Sequence, residues 1–277
     1  MFCGLSSVLR VLSLMKTKTY IYSAVILVLL FFFFNIFSFS LPLDLSRLNL
    51  SQRYILNGIN KKWEVYCLSM PPDQRSLLDL GELLQMLGPV QKSLAVRVLS
   101  VDPEALGYKG RFISVRSAKE PVKLDNTTFE ASVTGTTTVE TGIEYLPKHV
   151  YLDYKRLDAS MSGDLKKNIY VDSGYRSAGR QLFLFCYYLA NENNYSLKEN
   201  SKWVSLPGYS QHNDPVNTAI DFITIKGINN ASFEAEPEYK WLQKNAAKYN
   251  FYMSYPKDNP FGLSYEPWHW RWEKKSK

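Results

Sequence analysis

An uncharged apolar segment near the N-terminus is the feature that most constrains how this 277-residue chain can fold. Between residues 19 and 43 there is no charged side chain, and the stretch YIYSAVILVLLFFFFNIFS is almost wholly apolar. At about 1.5 Å per helical residue, it is long enough to cross the hydrocarbon core of a bilayer. Basic residues precede it, which favours a cytoplasmic N-terminus. The sequence therefore predicts cytoplasmic residues 1–18, a transmembrane signal anchor over 19–43, and a single-pass protein of the cell membrane whose remainder is periplasmic or extracellular.

The pattern around residue 39 leaves cleavage of this segment open. Ser38-Phe39-Ser40 has the small-x-small spacing of a signal-peptide cleavage site. The apolar run, however, is longer than the roughly 7–15 residues of an ordinary signal peptide. We favour an uncleaved anchor over cleavage, and either of them over a buried core helix.

The charge balance argues against a nucleic-acid partner. The chain carries a net charge of +7, but Arg10, Lys16 and Lys18 precede the first acidic residue, Asp44, so the remainder carries +4 (7 minus 3). This excess is small, and no dense run of basic residues accompanies it. A mild attraction to anionic polymers such as cell-wall material is compatible with the charge.

The three cysteines form neither a metal-binding spacing nor a disulfide framework. Cys67 and Cys186 could form one bridge outside the membrane. Cys186 lies in LFLFCYYL, where a small buried hydrophobic residue fits equally well. The sequence leaves both alternatives open.

Strand and helix patterns interleave beyond residue 146 without the regularity of βαβ units. Strands are predicted for NIYVDSG, TAIDFITIKG, FYMSY and the tryptophan-rich C-terminal stretch, and helices for GRQLFLFCYYLANENNY and EAEPEYKWLQKNAAKYN. This order predicts an α+β domain over residues 146–277, with a mostly antiparallel sheet flanked by helices.

Residues 44–145 are predicted to be a linker and accessory region of unknown role. Residues 44–62 have the composition of a polar linker with some helical character. Helical spacing follows over 73–100, with a break at Gly88-Pro89, and residues 110–146 are rich in Thr, Val and Ser, which suits strands or an extended loop.

The stretch EPWHWRW at residues 266–272 predicts a strand with two different faces. Side chains alternate along a strand, so Trp268, Trp270 and Trp272 would point to one side, and His269 and Arg271 to the other. The tryptophan face would pack against the protein, and the histidine face would meet something polar.

Two histidines and a carboxylate form a candidate metal site. Asp221 lies within TAIDFIT, where burial of a carboxylate without a strong partner costs several kcal/mol. With His212 and His269 it would make a common catalytic zinc ligand set that leaves a position for water. Glu266, three residues before His269, is the candidate general base. Taken singly, each of these residues has an ordinary structural explanation, and His149 stands apart from the group.

Three motifs, in this order along the chain, carry a family resemblance. They are SGYRS at residues 173–177 with a later Gln181, PGYSQH at 207–212 leading to Ala219-Ile220-Asp221, and EPWHWR at 266–271. Over roughly residues 146–272 the chain resembles the VanY-type D-alanyl-D-alanine carboxypeptidases. These belong with the zinc peptidases of the lysostaphin, D-Ala-D-Ala and Hedgehog group, which cleave peptidoglycan stem peptides.

The resemblance implies a Hedgehog/DD-peptidase-like fold and a zinc-dependent carboxypeptidase that hydrolyses the D-Ala end of peptidoglycan stem peptides. By this resemblance the residues take three kinds of role. Zn²⁺ ligands would be His212, Asp221 and His269; catalytic residues would be Glu266 as general base and Arg176 on the oxyanion or a substrate carboxylate; substrate contacts would be Gln181, Ser210, Ser177 and Trp268. A structural salt bridge is the alternative for Arg176.

The chain departs from the family pattern between two of the expected ligands. The family usually has Asp seven positions after His with a glycine between them, whereas HNDPVNTAID puts Asp221 nine positions after His212 without a glycine. Asn217 could take the place of the glycine, because Asn tolerates a left-handed conformation. Asp214 is a rival ligand, but Ala219-Ile220-Asp221 keeps the local pattern, so we favour Asp221.

Two other classes of function compete with a peptidase. A catalytically inactive module could use the same groove to bind peptide or wall polymer, but it would not need Glu266 and Arg176. A structural envelope protein could act through residues 44–145. The sequence does not separate D,D-carboxypeptidase, L,D-carboxypeptidase and endopeptidase activity, because fold resemblance does not fix pocket shape.

Overall fold

The computed structural model describes residues 42–124, 128–131, 137–140, 143–228 and 230–274, with the backbone alone over 128–140. The predicted cytoplasmic segment and nearly all of the predicted transmembrane segment lie outside these residues. Across the described ranges, none of the helices combines the length and apolar character needed to cross a bilayer.

Three helices come first, four short strands follow, and helices and strands are interspersed over the rest of the chain. The helices are α1 (Leu50–Ser69), α2 (Leu80–Gln85), α3 (Pro89–Leu99), α4 (Lys148–Leu165), α5 (Ala178–Asn191), α6 (Leu197–Ser201) and α7 (Pro237–Asn245). The strands are β1 (Val122–Lys123), β2 (Thr128–Ala131), β3 (Thr137–Glu140), β4 (Tyr145–Leu146), β5 (Tyr170–Ser173), β6 (Ala219–Ile223), β7 (Phe251–Met253) and β8 (His269–Trp272). Short 3₁₀ turns include Pro72–Leu77, Gln211–Asn213 and Ala246–Tyr249.

The main sheet has the strand order β5-β6-β8-β7, and every pairing in it is antiparallel. The predicted combination of helices with an antiparallel sheet is therefore confirmed. Asp221 in β6 lies directly opposite His269 in β8, and Ser173 in β5 lies opposite Asp221 on the other side. Directly opposed residues project from the same face of a sheet, so this register alone brings Asp221 and His269 together.

The other face of the sheet is covered by α4 and α7. Ile220 and Trp270 are cross-strand partners on this face, and both belong to the core that those helices complete. Trp272 is buried in the same core, as the alternation predicts, and its Nε1–H donates to Asp153 of α4 (2.8 Å). Trp268 precedes β8 and only partly joins this core. The tryptophan face thus anchors β8 and leaves its opposite face for His269.

Helix α4 was not predicted from the sequence, although its pattern is present. Val150, Tyr154, Leu157 and Met161 recur at helical spacing and are all buried against the sheet. The polar residues between them, including a buried Asp158 that accepts from the Ile169 N–H (3.0 Å), mask this periodicity.

Helices α1 and α2 pack against α5, and α3 packs against α1 and α2, in a second core. Leu56, Ile59 and Trp63 of α1 are fully buried, as is Leu182 of α5 in the same cluster. A capping box of Asn49 and Gln52 starts α1. The helical character predicted within residues 44–62 is confirmed from residue 50 onward. The linker prediction missed that one side of this helix is buried, because its exposed polar residues cover only the other side. The domain boundary at residue 145 stays a prediction.

Two other expectations for this region can be compared with the structure. Residues 80–99 are helical with a break at Met86–Gly88, as the spacing predicts. Cys67 and Cys186 are both buried in the second core and both are free thiols, so they do not form the bridge that the sequence left open.

Helix α5 approaches the accessory region at a glycine, and this contact can be tested. A Cβ at Gly179 would lie 2.2 Å from the carbonyl oxygen of Leu78. We expect Gly179→Ala to lower the free energy of unfolding by about 1–3 kcal/mol, because the overlap forces α5 away from its neighbour. Gly163→Ala in α4, where a Cβ meets nothing within 4 Å, is the control and should raise stability by about 0.5–1 kcal/mol. Urea unfolding measures both; equal stability of the two variants would contradict the close approach.

Candidate metal centre

Three side chains from three separate elements converge at one point. One ligand atom each of His212, Asp221 and His269 lies within 4.8 Å of the others. His212 lies in the 3₁₀ turn Gln211–Asn213, Asp221 at the centre of β6 and His269 at the start of β8. The structure thus brings together the three residues that the sequence analysis grouped.

His212 presents one ring nitrogen with a free lone pair. Its Nδ1 lies 2.8 Å from the carbonyl oxygen of Gly174, which can only accept, so Nδ1 carries the proton. Nε2 is buried without a hydrogen-bond partner in the described residues; it lies 3.1 Å from Asp221 Oδ2, but the two do not align as a hydrogen bond. Burial and the charge of Arg176 lower the pKa of His212 to about 4, so the ring is neutral and suited to hold a cation.

Asp221 bridges the two imidazoles. Its Oδ2 faces His212 Nε2, and its Oδ1 lies 2.8 Å from His269 Nδ1. Burial by itself would raise the pKa of Asp221, but the two histidines hold that pKa well below its ordinary value. The carboxylate is therefore ionised. An orphaned imidazole nitrogen beside an ionised carboxylate is the donor arrangement that a divalent cation completes.

Glu266 lies next to this cluster. Its Oε2 is 3.6 Å from His269 Nδ1, and its side chain is buried. Burial raises the pKa of Glu266 well above its ordinary value, the nearby charge of Asp221 raises it further, and Arg176 lowers it. The site thus holds one ionised carboxylate and one carboxyl group that retains its proton more readily.

Arg176 faces the same space without the salt bridge that was its structural alternative. Its backbone N–H donates to the carbonyl oxygen of His212 (3.0 Å), which ties the first motif to the second. Its Nε is buried without a hydrogen-bond partner, and no ion pair of Arg176 occurs among the described residues. The guanidinium is a cation that lines the space beside the cluster.

The cluster opens into a cleft of about 480 Å³. Gln181, Ser210 and Trp268, predicted from the sequence as substrate contacts, line it. The Gln181 amide donates to the Ser205 carbonyl oxygen (2.8 Å), while its own Oε1 is buried without a partner in the described chain. Sequence analysis missed the outer lining of the cleft, which includes Tyr188, Glu192 and Trp203.

Ser177 is not a cleft residue, which corrects its prediction as a substrate contact. Its hydroxyl donates to the Leu78 carbonyl oxygen (2.6 Å) and accepts from the backbone N–H of Arg180 (3.1 Å), so it caps α5. Its place in the SGYRS motif follows from the turn into that helix.

The longer loop between His212 and Asp221 is organised by Asp214. One oxygen of Asp214 accepts from the backbone N–H groups of Val216 and Asn217 (both 2.9 Å), and the other accepts from Arg271 (2.8 Å). Asp214 is therefore outside the cluster that could hold a metal. The idea that Asn217 replaces the family glycine in a left-handed conformation is wrong, because Asn217 has no positive φ.

A family model described as VanY, D-alanyl-D-alanine carboxypeptidase, matches residues 143–275. The chain is also 31% identical over 139 residues to the bifunctional D-Ala-D-Ala dipeptidase and carboxypeptidase VanXYC of Enterococcus gallinarum, covering 46% of this chain and 67% of that protein. This chain belongs to the VanY family. The resemblance carried by the three motifs is confirmed.

Other relatives of this VanY-family chain match over shorter parts of their length. A D-alanyl-D-alanine carboxypeptidase of Enterococcus faecium is 33% identical over 105 residues, which cover 37% of this chain and 29% of the relative. The putative carboxypeptidase YodJ of Bacillus subtilis is 36% identical over 105 residues, 36% of each chain. The match therefore spans about a third of these two relatives.

Solved structures resemble the chain more loosely. The LdcB LD-carboxypeptidase has a TM-score of 0.45 and 22% identity, covering 61% of this chain and 77% of that one. A Zn(II) complex of a variant of the D,D-pentapeptidase VanY has a TM-score of 0.40 and 25% identity, covering 53% and 79%.

Substitution of Asp221 and of Asp214 should affect metal binding differently. Asp221→Asn should weaken Zn²⁺ binding on the order of 100-fold or more, because an anionic bridge between the histidines is lost. Asp214→Asn should leave the zinc affinity within a few-fold and lower thermal stability, because it weakens the pair with Arg271. Chelator-competition titration measures the affinity. Loss of zinc from the Asp214 variant alone would reverse the ligand assignment.

A third carboxyl group supports the candidate metal centre through Gly174. Glu144 Oε2 accepts from the Gly174 N–H (3.1 Å), and the carbonyl of the same Gly174 holds His212. Burial raises the pKa of Glu144 from 4.5 to about 7. The native state therefore binds a proton that the unfolded chain releases, so this group's contribution to stability falls as pH rises from 4.5 to about 7.

Glu144→Gln should therefore raise stability more at pH 8 than at pH 5. The amide oxygen can still accept from Gly174, while the cost of a buried charge disappears. The shift in pKa corresponds to at most about 3 kcal/mol, less where water screens the group. Urea unfolding at the two pH values measures this, with Glu64→Gln on the exposed side of α1 as the control. An equal effect of Glu144→Gln at both pH values would contradict the raised pKa.

Proposed function

We propose that this chain is a zinc-dependent carboxypeptidase that hydrolyses the D-Ala end of peptidoglycan stem peptides. The observation that carries the proposal is the convergence of His212, Asp221 and His269 beside a buried Glu266 in an open cleft. Membership of the VanY family supports the reaction class. The proposal includes the Hedgehog/DD-peptidase-like fold expected with that family.

The donor set favours zinc over harder cations. Two neutral imidazole nitrogens and one carboxylate suit zinc, whereas Mg²⁺ and Ca²⁺ prefer oxygen ligands. His212, Asp221 and His269 would hold it. When bound there, zinc would polarise a substrate carbonyl and lower the pKa of a water molecule.

Glu266 is proposed as the general base. Its carboxyl group lines the cleft next to the cluster, in reach of a water placed between it and the substrate. It would take a proton from that water and return it to the departing amine, so that a single group serves both steps. A carboxyl group whose burial raises its pKa is suited to both directions of transfer.

Arg176 is proposed to stabilise negative charge on the substrate. Its guanidinium lines the cleft, and its unpartnered buried Nε supports a role toward a ligand. Either the oxyanion of the tetrahedral intermediate or the terminal carboxylate of the peptide would satisfy it, since a fixed guanidinium binds both well. Gln181, Ser210 and Trp268 would contact the peptide from the cleft walls.

The location of the substrate suits the anchor predicted from residues 19–43. Stem peptides lie outside the cytoplasmic membrane, and an N-terminal single-pass helix would hold the cleft there. A catalytically inactive binding module is less favoured, because both Glu266 and Arg176 are kept in the cleft.

The purified chain, incubated with muropeptides of defined stem length and analysed by mass spectrometry, tests this function. We expect one zinc per chain and loss of a terminal D-Ala. Loss from a pentapeptide stem would indicate D,D-carboxypeptidase activity, loss from a tetrapeptide stem L,D-carboxypeptidase activity, and cleavage within a stem or cross-link endopeptidase activity. Glu266→Gln should lower the rate by about 10²–10⁴-fold and keep its zinc, because only the proton-transfer group is removed. Glu64→Gln, distant from the cleft, should cleave normally. Full activity of Glu266→Gln would refute the assignment of Glu266 as general base. A zinc-loaded protein that cleaves no stem peptide would refute the assignment of stem peptides as the substrate.

A further inference from the structure

We propose that Gln211 is a positioning residue that fixes the proton and the orientation of His269, and that Ser254 in turn holds Gln211. This inference deepens the proposed function and rests on its metal site. Gln211 lies between Ser210 and His212 in PGYSQH, and the sequence analysis assigned it no role.

The Gln211 side chain reaches past its neighbour in sequence to the other histidine. It is 7% exposed, and its Oε1 lies 3.1 Å from His269 Nε2. The same Oε1 lies 2.5 Å from the Ser254 hydroxyl oxygen, at the end of β7. The 3₁₀ turn, β7 and β8 are thus joined at one atom.

The short contact to Ser254 identifies that atom as an oxygen. O–H···O hydrogen bonds extend down to about 2.5 Å, whereas N–H···O bonds are usually about 2.7–3.2 Å, so the amide oxygen fits there better than the amide nitrogen. An amide oxygen only accepts, so His269 Nε2 must carry a proton and donate it to Gln211. Nδ1 is then the nitrogen of His269 that is left to hold a cation.

Nδ1 is the nitrogen that faces the cluster. It lies 2.8 Å from Asp221 Oδ1 and 3.6 Å from Glu266 Oε2. Asp221 Oδ1 only accepts, so without a cation Nδ1 shares a proton with this carboxylate. A cation would displace that proton while the proton on Nε2 stays with Gln211, so that Nδ1 would join His212 Nε2 and the Asp221 carboxylate around one point. A second partner that fixes the tautomer of a metal-binding histidine is a general feature of metal sites. For His212 the Gly174 carbonyl serves this purpose, and for His269 the Gln211 amide does.

Gln211 also separates the cluster from water on its far side. A second cavity of about 540 Å³, lined by Gln211, Ser254 and Arg271, lies there. The ring of Tyr255 covers His269 from another direction, with 4.5 Å between ring centroids. Without the Gln211 amide, water in the second cavity could reach Nε2, and the imidazole would no longer be held in one orientation.

Zinc affinity of the purified full-length chain tests this role. Gln211→Met keeps the length of the side chain and removes the acceptor, so it should weaken Zn²⁺ binding by about 10–100-fold in chelator competition. Gln211→Glu keeps an acceptor at the same place, so its zinc affinity should be no more than a few-fold below that of the wild type. The visible absorption of the cobalt-loaded Met variant should also differ from that of the wild type, because the imidazole is less firmly oriented.

Ser254→Ala is the second variant, and it covers the case in which Gln211→Met fails to fold. It removes only the support of the amide, so a smaller loss of zinc affinity, about 3–10-fold, is expected. Wild-type affinity and an unchanged cobalt spectrum in the Met variant would overturn the role, and so would equal losses in the Met and Glu variants. A wild-type chain that binds zinc but cleaves no muropeptide refutes the proposed function alone; one that binds no zinc refutes both.

Discussion

A single ionised carboxylate at the centre of the sheet is the constraint on which the site depends. Asp221 lies on a central strand, one oxygen toward each of the two imidazoles. A charge buried there needs strong partners, so the strand register and the 3₁₀ turn must both be correct for the fold to be stable. The cross-strand register supplies His269, and the turn after PGYS supplies His212. The contacts of Asp221 with the two histidines therefore shape the candidate metal centre and are also needed for a stable fold around it.

The region before residue 145 contributes to the site as a scaffold. The first motif is fixed from outside by the carbonyl oxygens of Ser76 and Leu78, which accept from the backbone N–H and the hydroxyl of Ser177. The second motif is held by the segment after α3, where the backbone N–H of Ile113 donates to the Gly208 carbonyl (2.7 Å). Short catalytic loops keep their geometry only when such neighbours fix them. These contacts give a physical role to a region whose sequence identifies no chemistry.

Much of the fold and of the site could be predicted because the signals are local. β-branched and aromatic runs predict β5 and β6, and the alternation of EPWHWRW predicts which way His269 points. The errors share one cause. Helix α1, predicted to be part of a linker, is stabilised by burial against α5. The substrate contact of Ser177 and the left-handed conformation of Asn217 were predicted from the positions of these residues in the motifs. A side chain's partners are distant in sequence, so a motif does not reveal whether a hydroxyl faces substrate or caps a helix.

The sequence by itself determined the family, the residue types of the candidate metal centre and the strand that carries its last ligand, because these follow from composition and short spacing. Only the tertiary structure decided that Asp221 and not Asp214 joins the histidines. Both are acidic and close in sequence, but the strand register turns one toward His269, whereas backbone N–H groups and Arg271 occupy the other. The tertiary structure alone also showed that Gln211 contacts His269 and Ser254, since contacts between separate chain segments exist only after folding.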